Sequence, residues 1–407
     1  MTTDDQQLVT PFVSEHFAAL SDLDRLLAPP YDVIAEQERA ALAARDKHNI
    51  VHLILPEGDG DRYRNAATTL DGWRQRGILV ADPAPATYVV QQQFVVPNGQ
   101  TLVRTGLIGA VVAEPFSAGR VKPHERTHAG PKQDRLALMR ATHTMFESLL
   151  MLTRDPGGTL TTLLSGVTEA ASWATAQLGE TVIRLWRVQG SAAERLARAA
   201  GRDVLYIADG HHRFETAVAF RAEYPAAVRT LALIVPLGDP GLVVLPTHRI
   251  LYGGALAENV VDRVVAHTGP VDAEMGVGAA EPGAGTCIVV FSSGRRMVLA
   301  RRQGIDPGAL ETYDVAVRRL DVAWADACVL ATLWAAATEP RVAYSSQGRE
   351  VVAEVTSGRA LAGVLLAPPA VADVLDVADA GAFMPQKSTY FLPKVPSGLV
   401  LLRYAAV

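Results

Sequence analysis

The stretch from Tyr206 to Ala217, YIADGHHRFETA, carries the fold in miniature. An apolar run, DVLYIA, stops at Asp209-Gly210, and a helical pattern, HHRFETAVAFRAEY, begins at once. Gly210 allows a tight turn and close backbone approach. Asp209 is suited to act as an N-cap. First-turn amides point outward with the positive end of the helix dipole, and His211, His212 and Arg213 surround them. These features suit an anion, above all a phosphate, which Arg213 is able to grip with two hydrogen bonds. The alternative is a capped helix with a solvated basic first turn, although three basic residues there oppose the dipole. A metal held by both His211 and His212 is disfavoured, because neighbours on a helix diverge by ~100°.

Outward from this turn the pattern is α/β. TVIRLWRV (181–188) reads as a strand, SAAERLARAA (191–200) as a helix and TLALIVPL (230–237) as a strand. Upstream, AEQERAALAARDKH (35–48) reads as a helix with an apolar face at Ala40, Leu42 and Ala43, and IVHLIL (50–55) as a strand. RYRNAATTLDGWRQRG (62–77) reads as a helix ending at Gly77. TYVVQQQFVV and TLVRTGLIGAVVA flank Asn98-Gly99 as a hairpin. RLALMRATHTMFESLLML (135–152) reads as one helix.

Downstream, LVVLPTHRIL (242–251) is a strand running into a turn, and ALAENVVDRVVAHT (255–268) is a helix. AEMGVGAAEPGAGT (273–286) reads as a loop, and TCIVVFSS with RMVLARR as a hairpin across Gly294. ALAGVLLA reads as a strand, and PPAVADVLDVADAG as a helix with Pro at its start and Gly at its end. Two domains are expected. The first spans residues 1–250 with a hairpin-bearing insertion at about 80–150. The second spans 251–407 and is also α/β, with a last strand that returns to the first domain as an open possibility.

The chain has 407 residues, 49% of them hydrophobic and 20% charged, the balance of a soluble globular protein. A net charge of −5 gives no general attraction to nucleic acid or an acidic membrane. Its two cysteines, Cys287 and Cys328, lie in no CxxC pair, so neither a disulfide framework nor a cysteine-zinc site is expected. MTTDDQQLVT is acidic and polar, unlike a secretory signal. No run reaches the ~18 apolar residues of a membrane span. A cytoplasmic protein is expected.

HERTH (124–128) fits H-E-x-x-H, the zinc-peptidase pattern in which both histidines share one face of a continuous helix. Pro123 is able to start a helix, but Gly130-Pro131 is expected to end it within a turn. Lys122, Arg126 and Lys132 stand where such a helix needs apolar residues, while Glu147 offers a third ligand at a tempting distance downstream. A zinc hydrolase is the least supported reading. A salt-bridged surface turn and a polar active-site loop remain, the latter with Lys122, His124, Glu125, Arg126 and Lys132 available to phosphates or a substrate. PPYDVI (29–34) is a Pro-fixed turn carrying Tyr31 and Asp32, either a helix start or part of a site. MPQKSTYFLPK (384–394) sets Lys387, Ser388, Thr389 and Lys394 among apolar anchors, as a clamp for phosphate or carboxylate. It lacks the glycines of a P-loop. THR (247–249) reads as structural.

APPYDVI, HERTHAGPKQDRL, YIADGHHRFETA, LPTHRIL and MPQKSTYFLPKVPSGLV follow in that order. In this the chain closely resembles the bacterial and archaeal family called domain of unknown function 1015, from about residue 9 to the C-terminus. The resemblance implies an α/β (α+β) fold with a ParB/sulfiredoxin-like core. It places nucleotide phosphates on Asp209, Gly210, His211, His212 and Arg213. Arg126, Lys132, Lys387, Ser388 and Thr389 are further phosphate contacts to consider. The related free-serine kinases phosphorylate L-serine with ADP or ATP, using a carboxylate as general base. Asp32 or Glu36 is the nearest positional equivalent, and Glu125, beside His124, is a third candidate. Mg²⁺ bridging the phosphates needs one or two carboxylates, of which Asp209 is a candidate. The family pattern HERT…GPK…DRL takes in His124 to Thr127 but not His128. The expected activity is a nucleotide-dependent kinase of free L-serine. The alternative is a regulatory protein switched by CTP or ATP, as ParB proteins are, although no helix-turn-helix is present. Neither a membrane nor a nucleic-acid partner is expected.

Overall fold

In the computed structural model, residues 7–58, 60–268, 281–301 and 307–404 are described, so most of the loop expected at 273–286 lies outside them. The protein is a mixed α/β chain that forms two compact units. The first takes the chain up to Pro123, then Thr127–Leu242, then Pro393 onward; the second takes His124–Arg126 and Val243–Leu392. No helix among the described residues is long and apolar enough to cross a membrane.

The first unit is built on a mixed sheet of nine described strands. Its order runs Val121–Lys122, Leu205–Asp209, Leu149–Thr153, Arg229–Pro236, Thr101–Val112, Ala86–Val95, Thr181–Gln189, Ala174–Leu178, with Val9–Thr10 also pairing to Thr101–Val112. Asn98-Gly99 closes the hairpin as its sequence requires: Gly99 has φ +85 and its N–H donates to the Val96 carbonyl at 2.8 Å. The hairpin was expected within an insertion. Its strands instead occupy the middle of the sheet, with Arg229–Pro236 on one side and Thr181–Gln189 on the other, because both are buried over most of their length. Leu107, Val111, Leu149, Met151, Ile207, Phe214 and Ile234 form the core beneath. A smaller antiparallel sheet joins Leu79–Ala81, Ser14–Phe17, Leu401–Arg403 and Thr144–Met145.

Two expected elements change type. IVHLIL is a short helix, Val51–Ile54, not a strand. Short apolar runs carry no period that separates the two. Here Asn49 decides: its buried side chain accepts from the Val51 N–H at 2.9 Å and donates to the carbonyls of Arg25 at 2.7 Å and Leu27 at 2.9 Å. The expected helix over 135–152 is the helix Ala129–Thr142 followed by strands Thr144–Met145 and Leu149–Thr153. His143, at φ 46, turns the chain. LLMLT is buried throughout between two neighbouring strands, and a strand buried on both faces loses its alternation.

Gly130-Pro131 starts a helix rather than ending one. HERTH is non-helical, as expected, but the helix Ala129–Thr142 begins immediately after it. Proline fits there because the N–H it lacks is unpaired in any first turn.

In the second unit an antiparallel sheet runs Arg296–Ala300, Thr286–Phe291, Ala362–Leu366, His248–Tyr252, Arg341–Ser345. Cys287 and Cys328 are both buried in its core beside Val289, Leu299, Trp324 and Val364. Arg249 is fully buried and pairs with Asp326 through two bonds, at 2.8 and 2.9 Å. Asp326 lies in a π-helical turn, Ala325–Leu330.

Asn49→Leu strands two carbonyls and one amide, and is expected to destabilise the protein by about 3 kcal/mol in urea unfolding. His248 is held neutral: burial, and then the Arg249 charge, lower its pKa from 6.5 to about 4, while its Nδ1 accepts from the Leu366 N–H. Because the folded value is the lower one, its contribution is complete above about pH 6.5 and is lost as pH falls toward 4. Stability is expected to drop by up to about 3 kcal/mol across that window, and His248→Asn to flatten the drop. An identical slope in the variant refutes the assignment.

Candidate functional site

The site begins at the turn between the strand Leu205–Asp209 and the helix His211–Glu223. Gly210 has φ +96, and a Cβ there would lie 2.6 Å from the Leu149 side chain and 3.1 Å from the Arg213 guanidinium. Only glycine lets the strand end so close to the helix. The helix has no side-chain cap, so Asp209 is not the N-cap its sequence position suggests.

The Asp209 carboxylate turns to two cations instead. One oxygen accepts from Arg213 Nη2 at 2.8 Å, and the other accepts from Lys394 Nζ. Arg213 is buried, and its Nη1 donates to the Ser148 carbonyl at 2.9 Å. It therefore ties the end of one strand to the start of another, where the sequence had suggested a free two-pronged grip on a ligand. Burial pushes the Asp209 carboxyl up, but Lys394 and Arg213 outweigh it and hold the group well below the usual carboxylate range. His211 is buried and adds to that field.

A second wall of the cluster comes from PPYD and from residues just before Leu149. Glu147 is buried; its Oε1 accepts from the Tyr31 N–H at 3.0 Å and from the Ser397 hydroxyl at 3.0 Å. The Arg135 guanidinium lies 4.0 Å from the centre of the Tyr31 ring and donates to the Ile54 carbonyl at 2.7 Å. Burial, and then Asp32, push the Tyr31 phenol up to about 12. Asp32 is exposed and contributes to the fields at both Tyr31 and Arg213. Glu36 opens the helix Glu36–Arg45 and is exposed, and no ion pair ties it to this cluster among the described residues.

The start of the helix Ala129–Thr142 docks on the helix His211–Glu223. Lys132 pairs with Glu215 at 2.5 Å, Thr127 donates to the same carboxylate at 2.6 Å, and the His128 N–H donates to His212 Nε2 at 2.8 Å. Lys132 and His212 thus already have protein partners.

The remaining sequence candidates lie in the second unit. His124 Nε2 meets the Thr389 hydroxyl at 3.2 Å, and its carbonyl accepts from the Met384 N–H. Glu125 is half-buried, and Arg126 is exposed with its guanidinium 5.3 Å from the centre of the Phe383 ring. Ser388 is buried and donates to the Pro385 carbonyl. Lys387 is exposed at φ 53, its carbonyl bonded by Arg249 at 3.2 Å. THR is accordingly structural in this unit.

Asp209 does not fit a magnesium ion. Both of its oxygens already hold cations, which a divalent ion would have to displace.

The family described as "Protein of unknown function (DUF1015)" matches residues 9–323. The chain belongs to this family. No curated protein matches it. Among solved structures it is similar to a conserved hypothetical protein from Pyrococcus furiosus, at 15% identity and a TM-score of 0.36, over 69% of this chain and 90% of that one. It is similar to a free serine kinase in complex with AMP, at 14% and 0.39, over 70% and 88%. It is also similar to a C-terminally truncated SbnI from Staphylococcus aureus, at 9% and 0.37, over 71% and 87%.

Within this DUF1015 chain, sequence reasoning missed Arg135, Ser148 and Ser397, weighed Glu147 only as a zinc ligand, and saw Lys394 only as one of two loop lysines. A signal was present. Glu147-Ser148 interrupts the otherwise apolar TMFESLLML, and a charge set in an apolar run marks a buried polar contact. Lys394→Met leaves Asp209 with Arg213 alone, and is expected to cost about 3 kcal/mol in urea unfolding. Asp209→Asn in that background recovers part of the loss. The depressed carboxyl contributes fully above about pH 4 and is lost only as pH falls toward its strongly acid folded value. Equal acid sensitivity in wild type and Asp209→Asn contradicts the pairing.

Proposed function

We propose that the protein is a nucleotide-dependent phosphotransferase that converts free L-serine to O-phosphoserine with ATP or ADP. The observation that carries this reading is the meeting of Lys394 and Arg213 on Asp209 at the uncapped start of a helix. A helix N-terminus attracts phosphate oxygens through its amides and dipole, and Lys394 supplies a point charge beside it. Family membership and the order of the shared motifs support the same reading.

Phosphoryl transfer asks the protein mainly for position and charge. The serine hydroxyl oxygen bonds to the terminal phosphorus, and the bond from that phosphorus to the nucleotide's bridging oxygen breaks. The hydroxyl proton passes to a carboxylate, and the shortened nucleotide leaves. We take Asp32 as the base, an exposed carboxylate whose charge acts on both Tyr31 and Arg213. Mg²⁺ arriving with the nucleotide would offset the phosphate charge.

Purified protein given L-serine, Mg²⁺ and ATP or ADP is expected to yield phosphoserine by mass spectrometry. Asp32→Asn is expected to slow the reaction about 10²- to 10⁴-fold, with nucleotide stabilisation retained in a thermal-shift assay. Nucleotide binding without any phosphoserine overturns the kinase and leaves a nucleotide-operated switch. Retention of nucleotide binding in Arg213→Ala contradicts the placement of the site.

A further inference from the structure

Lys394 has a support whose chemistry is unusual for a protein core. Gln92 and Arg104 stand directly opposite one another on the central hairpin strands Ala86–Val95 and Thr101–Val112. Gln92 is fully buried and Arg104 is 1% exposed. Arg104 Nη2 donates to Gln92 Oε1 at 2.5 Å and to the Pro393 carbonyl at 2.7 Å. Gln92 Nε2 donates to the Lys394 carbonyl at 2.9 Å. The peptide that carries Lys394 is thus gripped by consecutive carbonyls, while its ammonium reaches Asp209.

Burying a guanidinium is expensive unless something compensates, and the two Nη2 contacts to Gln92 and Pro393 are with neutral oxygens. Burial lowers the Arg104 pKa to about 10, opposed by the fields of Asp239 and Asp209. The backbone closes tightly around it. A Cβ on Gly241 would lie 2.4 Å from the backbone of Val103 and Arg104, so the chain at Gly241 packs directly against that strand. Two leucines facing one another would fill such a site with less penalty. They would leave the carbonyls of Pro393 and Lys394 unheld and the lysine free to swing.

We infer that Gln92 and Arg104 are positioning residues that fix the backbone of Lys394 so that its ammonium stays on Asp209 at the phosphate end of the site. The inference deepens the function proposed above and rests on it for its catalytic meaning, though not for its geometry.

Gln92→Glu tests it. The carboxylate keeps Arg104 paired but removes the donor to the Lys394 carbonyl and sets an oxygen against it. Lys394 is then labelled with acetic anhydride and followed by peptide mass spectrometry, with the exposed Lys47 and Lys387 as internal standards. Labelling of Lys394 is expected to rise about tenfold, the change that loosening its contact with Asp209 by about 1.4 kcal/mol produces. Gln92→Met, similar in volume and without a donor, is expected to do the same. Unchanged labelling in a folded variant overturns the inference, as does wild-type Lys394 reacting as fast as Lys47 and Lys387.

A second readout separates positioning from simple destabilisation. Gln92→Glu is expected to weaken ATP binding about tenfold in the wild-type background and not at all in Lys394→Met, since residues in one network are non-additive. Equal weakening in both backgrounds means a merely structural role and overturns the inference. If the wild type shows no ATP binding, the proposed function fails, while the labelling result still decides whether Gln92 and Arg104 position Lys394.

Discussion

The carboxylate of Asp209 organises the first unit. A half-buried carboxylate held among buried neighbours keeps its charge most readily with positive partners. One partner, Arg213, lies one helical turn away; the other, Lys394, is 185 residues distant in sequence. Bringing Lys394 there requires the segment from Pro393 onward to return to the first unit after the whole of the second has been made. Further ties follow from that return. Ser397 bonds both Glu147 and the Pro29 carbonyl, and the Gly398 N–H donates to Phe146. The PPYD turn, the strand after Glu147 and the KVPSG segment are therefore held by one connected set of buried polar contacts.

Local features of this fold were legible in the sequence. Asn98-Gly99 announced the hairpin, Gly77 and Gly381 the ends of two helices, and Asp209-Gly210 the change from strand to helix. Each depends on a backbone preference of the residues concerned. The failures lie where a distant partner decides. IVHLIL became a helix because Asn49 bonds Arg25 and Leu27. LLMLT became a strand because neighbours cover both of its faces. At the site, the turn itself was readable, but the partners of Asp209 were not. Ion pairs between residues far apart leave no periodic trace, and a capping role was the nearest local explanation for an aspartate before a helix.

HERTH shows how a short pattern acquires meaning from its surroundings. A zincin needs both histidines on one helical face, and here the five residues precede a helix. The chain changes compact unit twice around it, at Pro123 and at Thr127. His124 serves the second unit through Thr389 and Met384, whereas Thr127 and His128 serve the first through Glu215 and His212. Within the second unit, the buried pair Arg249–Asp326 holds the carbonyl of Lys387, and so supports the loop that displays this lysine. A buried pair stabilises little beyond what apolar residues would, so its use is better sought in the loop it shapes.

The same reasoning applies to Lys394. In this cluster its charge is already answered by Asp209. A phosphate arriving at the helix start must share the lysine with that carboxylate, and two anions at close range repel each other with several kcal/mol at the effective dielectric of a partly buried site. On the proposed reading such a site would bind a monoanion poorly, because the lysine gains little by exchanging one single charge for another. A polyphosphate accompanied by a cation gains more, since the added cation offsets the repulsion from Asp209 while the helix amides receive the phosphate oxygens. On the proposed reading, Asp209 is then more than a structural partner: it sets a threshold of charge that a nucleotide with its magnesium passes and a lone small anion does not.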